Sequence, residues 1–245
     1  MQQKTYLVSE MSMKEFAKRV KQDPVAILPI GALEGHSSHL PLSTDSIQPQ
    51  YVAEELAKRH KNTIIMPLLP FGNCSSTRNL PGTISVTATT LEMYVSEVLC
   101  EMARHGMRKI VVLSGHAGRS HMAALRNAAE IMLERYFDAR IMVLSDYDIA
   151  YDMMGEGDIP KSDGHAGTIE TSRVWAIKPK LVDAKHLPKA NDPVMPKYMV
   201  LAQPERYFES GVIGGNPRKA SRGTGRKVNR FIVDQLLELM KNLEE

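Results

Sequence analysis

The sequence contains little cysteine, little net charge and no long apolar run. Cys74 and Cys100 are the only cysteines in 245 residues. They lie too far apart for a disulfide framework or a cysteine-based metal or redox motif, which fits a reducing compartment. The net charge of +3 leaves no overall signature of nucleic-acid or membrane binding. No apolar run approaches the roughly 18 residues of a membrane-spanning helix, and the N-terminus has no apolar signal segment. We therefore expect a cytoplasmic protein that binds neither nucleic acid nor membranes.

The pattern of apolar residues predicts an α/β fold. A hydrophobic content of 43% in 245 residues suits one large domain, which we place at 1–245. Continuous apolar runs predict strands at 25–30, 63–68, 109–113 and 140–144. Helical spacing predicts helices at 13–20, after a Ser12 cap, and at 48–59, 91–102, 121–136 and 228–243. This alternation predicts a three-layer domain, with a mostly parallel sheet flanked by helices. Long loops are predicted at 155–163 and 187–204.

The stretch 31–45 carries the most informative set of side chains. Glu34, His36, His39 and Asp45 fall within twelve residues, just after the first predicted strand. Mixed nitrogen and oxygen ligands suit Zn²⁺, Mn²⁺ and Fe²⁺, whereas Ca²⁺ and Mg²⁺ prefer oxygen alone. This stretch therefore predicts a metal-dependent hydrolase.

Two further clusters extend the candidate site. His116 follows the strand predicted at 109–113, and His165 and Glu170 lie in the stretch 163–172. Because the carboxyl ends of parallel strands share one edge of a sheet, His116 is expected near Glu34 and His36. Glu170 begins a predicted helix, where a carboxylate also serves as an N-terminal charge partner. The remaining histidines on helix-like or charged stretches are assigned no role in the site: His60, His105, His121 and His186.

At these clusters the chain resembles the creatininase family of metal-dependent amidohydrolases. Residues 29–45 closely follow the family motif P-x-G-x-x-E-Q-H-G-x-H-L-P-L-x-T-D. Further family elements appear in the same order at 81–84, 114–119, 165–172 and 211–220. The resemblance implies the family's fold and a tendency to form homo-oligomers, as large as hexamers, with the 187–204 loop available for subunit contacts.

The resemblance also implies roles for the site residues. Glu34 and His116 would bind one of two divalent metal ions (Zn, Mn or Fe(II)), His36 would bind the other, and Asp45 would bridge them. Gly118 stands where one family member has a glutamate ligand, so Glu170 is the candidate for the missing ligand. His165 would transfer a proton to the leaving nitrogen, and His39 would support a ligand. The expected reaction is hydrolysis of a C–N bond in a small-molecule amide, lactam or formamide by metal-activated water.

Several positions depart from the family pattern. Gly35, Ser37, Thr77 and Thr168 replace common family residues, and the single tryptophan, Trp175, is expected in the core. Creatinine is therefore not the expected substrate. Two alternatives stay open: a ring hydrolase acting on a C–C or ester bond, and a non-catalytic binding protein with the same fold.

A basic cluster predicts either a solvated or subunit-contact face or a phosphate site for a nucleotide-like substrate. Its members are Arg218, Lys219, Arg222, Arg226, Lys227 and Arg230.

Overall fold

Four parallel strands form the sheet in the part of the chain that the structure describes. The computed structural model describes residues 5–157, 159–191, 193–194, 196–208 and 210–245. The strands are β1 (Val25–Ile30), β2 (Thr63–Ile65), β3 (Lys109–Ser114) and β4 (Arg140–Ser145), in the order β2-β1-β3-β4. All three pairings are parallel, as predicted. Consequently, the carboxyl ends of all four strands point to the same edge of the sheet.

Helices cover both faces of the sheet. Val25 and Ile27 of β1 join one apolar cluster, whereas Ala26, Leu28 and Ile30 join another on the opposite face. This alternation buries both faces, as expected of a parallel sheet. The longer helices are α1 (Met13–Val20), α2 (Thr44–Arg59), α3 (Ala88–Arg104), α4 (Arg119–Arg135), α5 (Asp146–Ala150), α6 (Thr168–Ile177) and α7 (Arg222–Met240). Helices α3 and α4 supply the second cluster, and α2, α5 and α7 supply the first. Within the described residues, no helix has the length and apolarity needed to cross a membrane.

The predicted elements are present, but several boundaries differ. The predicted cap of α1 is confirmed, because the Ser12 side chain accepts a hydrogen bond from the Glu15 amide. Helix α2 begins at Thr44 rather than at 48, and α7 begins at Arg222 rather than at 228. Strand β2 ends at Ile65 rather than at 68. Pro67 has no N–H to donate to a ladder, which accounts for the early end of that strand.

Candidate metal centre

The structure brings the five predicted metal ligands together at the carboxyl edge of the sheet. Glu34 and His36 lie in the loop after β1, and Asp45 lies in the first turn of α2. His116 lies between β3 and α4, and Glu170 lies in the first turn of α6. All five residues are at most 9% exposed.

His116 presents one ring nitrogen to two carboxylates. Its Nδ1 lies 2.9 Å from Glu34 Oε2 and 3.0 Å from Asp45 Oδ2. Its Nε2 lies 3.2 Å from the carbonyl oxygen of Asn73. A carbonyl oxygen can only accept, so Nε2 carries the proton and the neutral ring offers a lone pair at Nδ1. A lone pair facing two carboxylates is repulsive unless a proton or a metal cation lies between them.

His36 repeats this arrangement on the other side of Asp45. Its Nε2 lies 3.1 Å from Asp45 Oδ1 and 3.4 Å from Glu170 Oε2. Its Nδ1 lies 3.0 Å from the backbone carbonyl oxygen of Glu34. The two carboxylate oxygens of Asp45 therefore face different histidines.

The donor set fits divalent cations. Glu34, Asp45 and Glu170 place three carboxylates in a buried space. With both rings neutral, Glu34 Oε2 and His36 Nε2 face other acceptors and make no hydrogen bond within the described part of the chain. A buried polar atom left in this way costs about 1–3 kcal/mol, which a bound cation would remove. Mixed imidazole and carboxylate donors suit Zn, Mn and Fe(II).

The pKa shifts report the same excess of negative charge. Burial alone would lower the pKa of His36, but the carboxylates of Asp45 and Glu170 outweigh it and raise that pKa well above its ordinary value. Burial also opposes protonation of His116, yet Glu34 and Asp45 raise its pKa well above the usual range. Burial raises the pKa of Asp45, and the Glu34 carboxylate raises it further. The raised pKa values of both imidazoles thus have one cause, the negative charge of the carboxylates buried beside them.

His165 lies beside this cluster at a cavity of about 190 Å³. Its Nε2 lies 2.9 Å from the carbonyl oxygen of Gly35, and its ring centroid lies 4.2 Å from that of His36. Among the described residues, the lining contains no lysine or arginine. It comprises Glu34, Asp45, Ser76, Thr77, Gly115, His116, Ala117, Gly118, Tyr147, Tyr151, His165, Glu170 and Ile213.

A buried network of polar side chains behind Glu170 was not predicted from the sequence. The Tyr147 hydroxyl lies 2.6 Å from Glu170 Oε1 and 2.9 Å from Gln48 Oε1. The Arg173 guanidinium lies 4.9 Å from the Tyr147 ring centroid and forms a fully buried 2.5 Å ion pair with Asp146. Asp146 and Tyr147 directly follow β4. His116 was predicted as a site residue because it follows a strand of the parallel sheet, and the same argument applies to Asp146 and Tyr147.

Other side chains support the ligands directly. The Thr77 hydroxyl donates a hydrogen bond to Glu34 Oε1. His39 Nε2 lies 2.8 Å from Thr171 Oγ1, so His39 contacts the neighbour of Glu170 rather than a predicted ligand. His121 was assigned no role, but it is buried with its ring against His116. Its Nδ1 accepts from the Asn73 amide.

The basic cluster, Trp175 and three of the remaining histidines lie away from the candidate metal ligands. All six residues of the basic cluster are exposed, and other residues line the cavity. Trp175 is half-buried and packs against a small apolar cluster. His60 pairs with Glu244, His105 packs on Phe16, and His186 pairs with Asp183.

Gly118 and Cys74 lie close to His116. A Cβ at Gly118 would lie 2.5 Å from His116 Nε2, so a side chain at this position requires His116 to move. Cys74 and Cys100 form no cysteine-based metal motif in the sequence. The Cys74 sulfur nevertheless lies within 4.8 Å of ligand atoms of Glu34 and His116. Burial and the nearby Glu34 and Asp45 carboxylates raise the pKa of the Cys74 thiol.

Comparisons with known proteins cover nearly the whole chain. The creatininase family model, described as creatinine amidohydrolase, matches residues 9–240. The creatinine amidohydrolase of Pseudomonas putida is 30% identical over 97% of each chain. A mycofactocin precursor peptide peptidase of Mycobacterium tuberculosis is 25% identical over 93% of this chain and 89% of its own length.

Solved structures agree with these matches. A crystal structure of creatinine amidohydrolase covers 99% of this chain and 100% of its own, with 28% identity and a TM-score of 0.89. A mutant creatininase of Zn-Zn type covers 98% of both chains, with 29% identity and a TM-score of 0.86.

Proposed function

This chain belongs to the creatininase family, and from this premise we propose that it is a hydrolase that cleaves C–N bonds with two divalent metal ions. The observation that carries the proposal is the position of Asp45. Its Oδ1 lies 3.1 Å from His36 Nε2, and its Oδ2 lies 3.0 Å from His116 Nδ1. A carboxylate whose two oxygens face two separate imidazoles is suited to bridge a pair of cations.

Each cation has its own ligand set in this proposal. Glu34, His116 and Asp45 would hold one, and His36, Glu170 and Asp45 would hold the other. The ions are Zn, Mn or Fe(II), and a Zn-Zn form is known for a creatininase of the same fold. When bound, such a pair would supply an activated water as the nucleophile and a Lewis acid for the scissile carbonyl.

His165 is the proton donor to the leaving nitrogen in this proposal. It lines the cavity, and its Nε2–H donates to the Gly35 carbonyl, which fixes the ring and leaves Nδ1 for proton transfer. General acid catalysis of this kind contributes about 10²–10⁴-fold to a rate.

The substrate is a small amide, lactam or formamide, or one end of a longer molecule. The cavity of about 190 Å³ is smaller than a typical pocket for a drug-sized ligand. Tyr147, Tyr151 and Ile213 supply apolar surface to its lining. The described lining contains no lysine or arginine, so we favour an uncharged reacting group over a phosphate held beside the metals.

The substitution Asp45→Asn tests the bridging role, with Asp234→Asn as control. Asp234 is a half-buried aspartate that pairs with Arg59 on another part of the surface, so its loss should leave the metals in place. Elemental analysis should find about two metal ions in the unsubstituted chain and in the control. Asp45→Asn should retain neither ion, and its hydrolysis of formamides, lactams and peptide amides should fall to background.

Three outcomes would contradict the proposal. If Asp45→Asn keeps its metals and its rate, Asp45 does not bridge. If the metal-loaded chain releases neither amine nor formate but opens esters or C–C bonds, the C–N assignment is wrong. A chain that binds no metal after reconstitution would favour a binding protein with this fold.

A further inference from the structure

Cys74 is a buried free thiol beside one of the two proposed metal positions. It lies in the connection between β2 and α3 and is 1% exposed. Its amide donates to Ser85 Oγ at 2.9 Å, which anchors this part of the connection. The carbonyl of the preceding residue, Asn73, accepts from His116 Nε2. The same segment therefore orients His116 and brings the thiol beside it.

The Glu34 carboxylate beside this thiol has one oxygen without a hydrogen bond. Glu34 is 1% exposed, and its Oε2 makes no hydrogen bond within the described residues. The Cys74 sulfur, a Glu34 carboxylate oxygen and a His116 ring nitrogen all lie within 4.8 Å of one another. One sulfur, one oxygen and one nitrogen at this separation form a ligand set for a thiophilic divalent cation.

We propose that Cys74 Sγ is a further ligand of the metal held by Glu34, Asp45 and His116. This inference rests on the metal centre proposed above and concerns only one of its two positions. On binding, the S–H bond breaks, the sulfur–metal bond forms and the proton leaves to solvent. No oxidation state changes, because coordination itself deprotonates the thiol.

The consequence is a difference in metal preference between the two positions. Thiolate ligands select Zn(II) and Co(II) over Mn(II), whereas carboxylate-rich sets accept Mn(II) more readily. The position with Cys74 should therefore favour Zn(II), and the position with His36, Asp45 and Glu170 should discriminate less. Cys74 lies outside the set of residues that line the cavity, so it acts on the metal and not on the substrate.

Cobalt(II) absorption of the full chain tests the proposal directly. A chelator first removes bound metal from three proteins: the unsubstituted chain, Cys74→Ser and the control Cys100→Ser. Each is then titrated with Co(II). Cys100 is the chain's other cysteine and is part-buried on α3. The unsubstituted chain and Cys100→Ser should show a near-ultraviolet sulfur-to-cobalt charge-transfer band that Cys74→Ser lacks. In Cys74→Ser, Zn(II) affinity should fall by at least the roughly 10–100-fold that loss of a supporting group costs, while Mn(II) affinity changes little.

The outcomes separate this inference from the metal centre on which it rests. If Co(II) binds, as shown by its visible d–d absorption, but the Cys100→Ser protein has no charge-transfer band, Cys74 is not a ligand. That result needs only the control variant, so it stands even if Cys74→Ser fails to fold. If Co(II) does not bind at all, the metal centre itself is wrong.

Discussion

At the scale of single residues, the Glu170 carboxylate is held by one donor for each of its oxygens. The Tyr147 hydroxyl donates to Oε1 at 2.6 Å, and the Ala166 amide donates to Oε2. Oε2 is also the oxygen that faces His36 Nε2. Tyr147 therefore fixes the carboxylate in the orientation that the proposed second metal requires, and it is a positioning residue.

Removing that hydroxyl should weaken the second metal without disturbing the first. In Tyr147→Phe, the ring still packs against Arg173, but Glu170 Oε1 loses its donor. Loss of a group that supports a ligand costs about 10–100-fold in metal affinity. Chelator competition should show this loss for one of two metals. Tyr151→Phe removes a hydroxyl from the same cavity lining and serves as control. Equal affinities in both variants would exclude the positioning role.

The candidate ligands could be predicted from their residue types and their positions in the sequence. The groups that support them could not. Glu34, His36 and His116 stand just after predicted strands, where the topology of a parallel sheet places ligands. Cys74 and Arg173 gave no such signal. Arg173 is buried because Asp146 lies beside it in the fold, and Cys74 belongs to a connection without periodicity. Such proximity depends on how α5, α6 and the β2–α3 connection pack.

At the scale of elements, the position of Glu170 depends on how α6 packs against α7. The two helices approach closely at Gly225, where a Cβ would lie 1.8 Å from the carbonyl oxygen of Ser172. The Ser221 amide, at the cap of α7, donates to Ser172 Oγ at 3.0 Å. Glycine at 225 therefore allows a close approach that any side chain would prevent.

Gly225→Ala should destabilise the protein, whereas Gly223→Ala should not. Overpacking of a close contact costs about 1–3 kcal/mol, and a displaced backbone costs more. A Cβ at Gly223 would meet only Ser221 Oγ, at 3.6 Å. Alanine there should stabilise the helix by about 0.4–1 kcal/mol through the unfolded state. Urea unfolding of the two variants measures the difference. Equal midpoints would mean that the helices separate at little cost.

The two helices whose observed starts lie furthest from the predicted ones have polar first turns. Apolar spacing predicted α2 from 48 and α7 from 228, but the helices begin at Thr44 and Arg222. The first turn of α2 carries Asp45, whose side chain faces the histidines rather than the apolar core. A pattern based on apolar spacing cannot detect a helical turn whose buried side chain is a carboxylate.

At the scale of the whole molecule, one sheet edge collects groups from distant parts of the chain. Loops and helix starts after β1, β3 and β4 meet there with α6. The parallel sheet was predictable because its strands are short apolar runs separated by helices. The single domain and the homo-oligomer stay predictions. Within the predicted contact loop, Tyr198 and Val200 are fully exposed, as a surface available to another copy would be.

Because the proposed metals join loops and helix starts from several parts of the chain, their removal should lower the stability of the whole molecule. A ligand that binds only the folded chain adds about 2.7 kcal/mol when its free concentration is a hundred times its Kd. For a chain of this size, about 2–4 °C of Tm accompanies each kcal/mol, so chelation should lower Tm by roughly 5–10 °C. Calorimetry before and after chelation, and after Zn(II) is added back, measures this change. Asp45→Asn should show no response to the chelator, since it has no metal to lose. Identical Tm values for the loaded and chelated chain would mean that no metal links these elements.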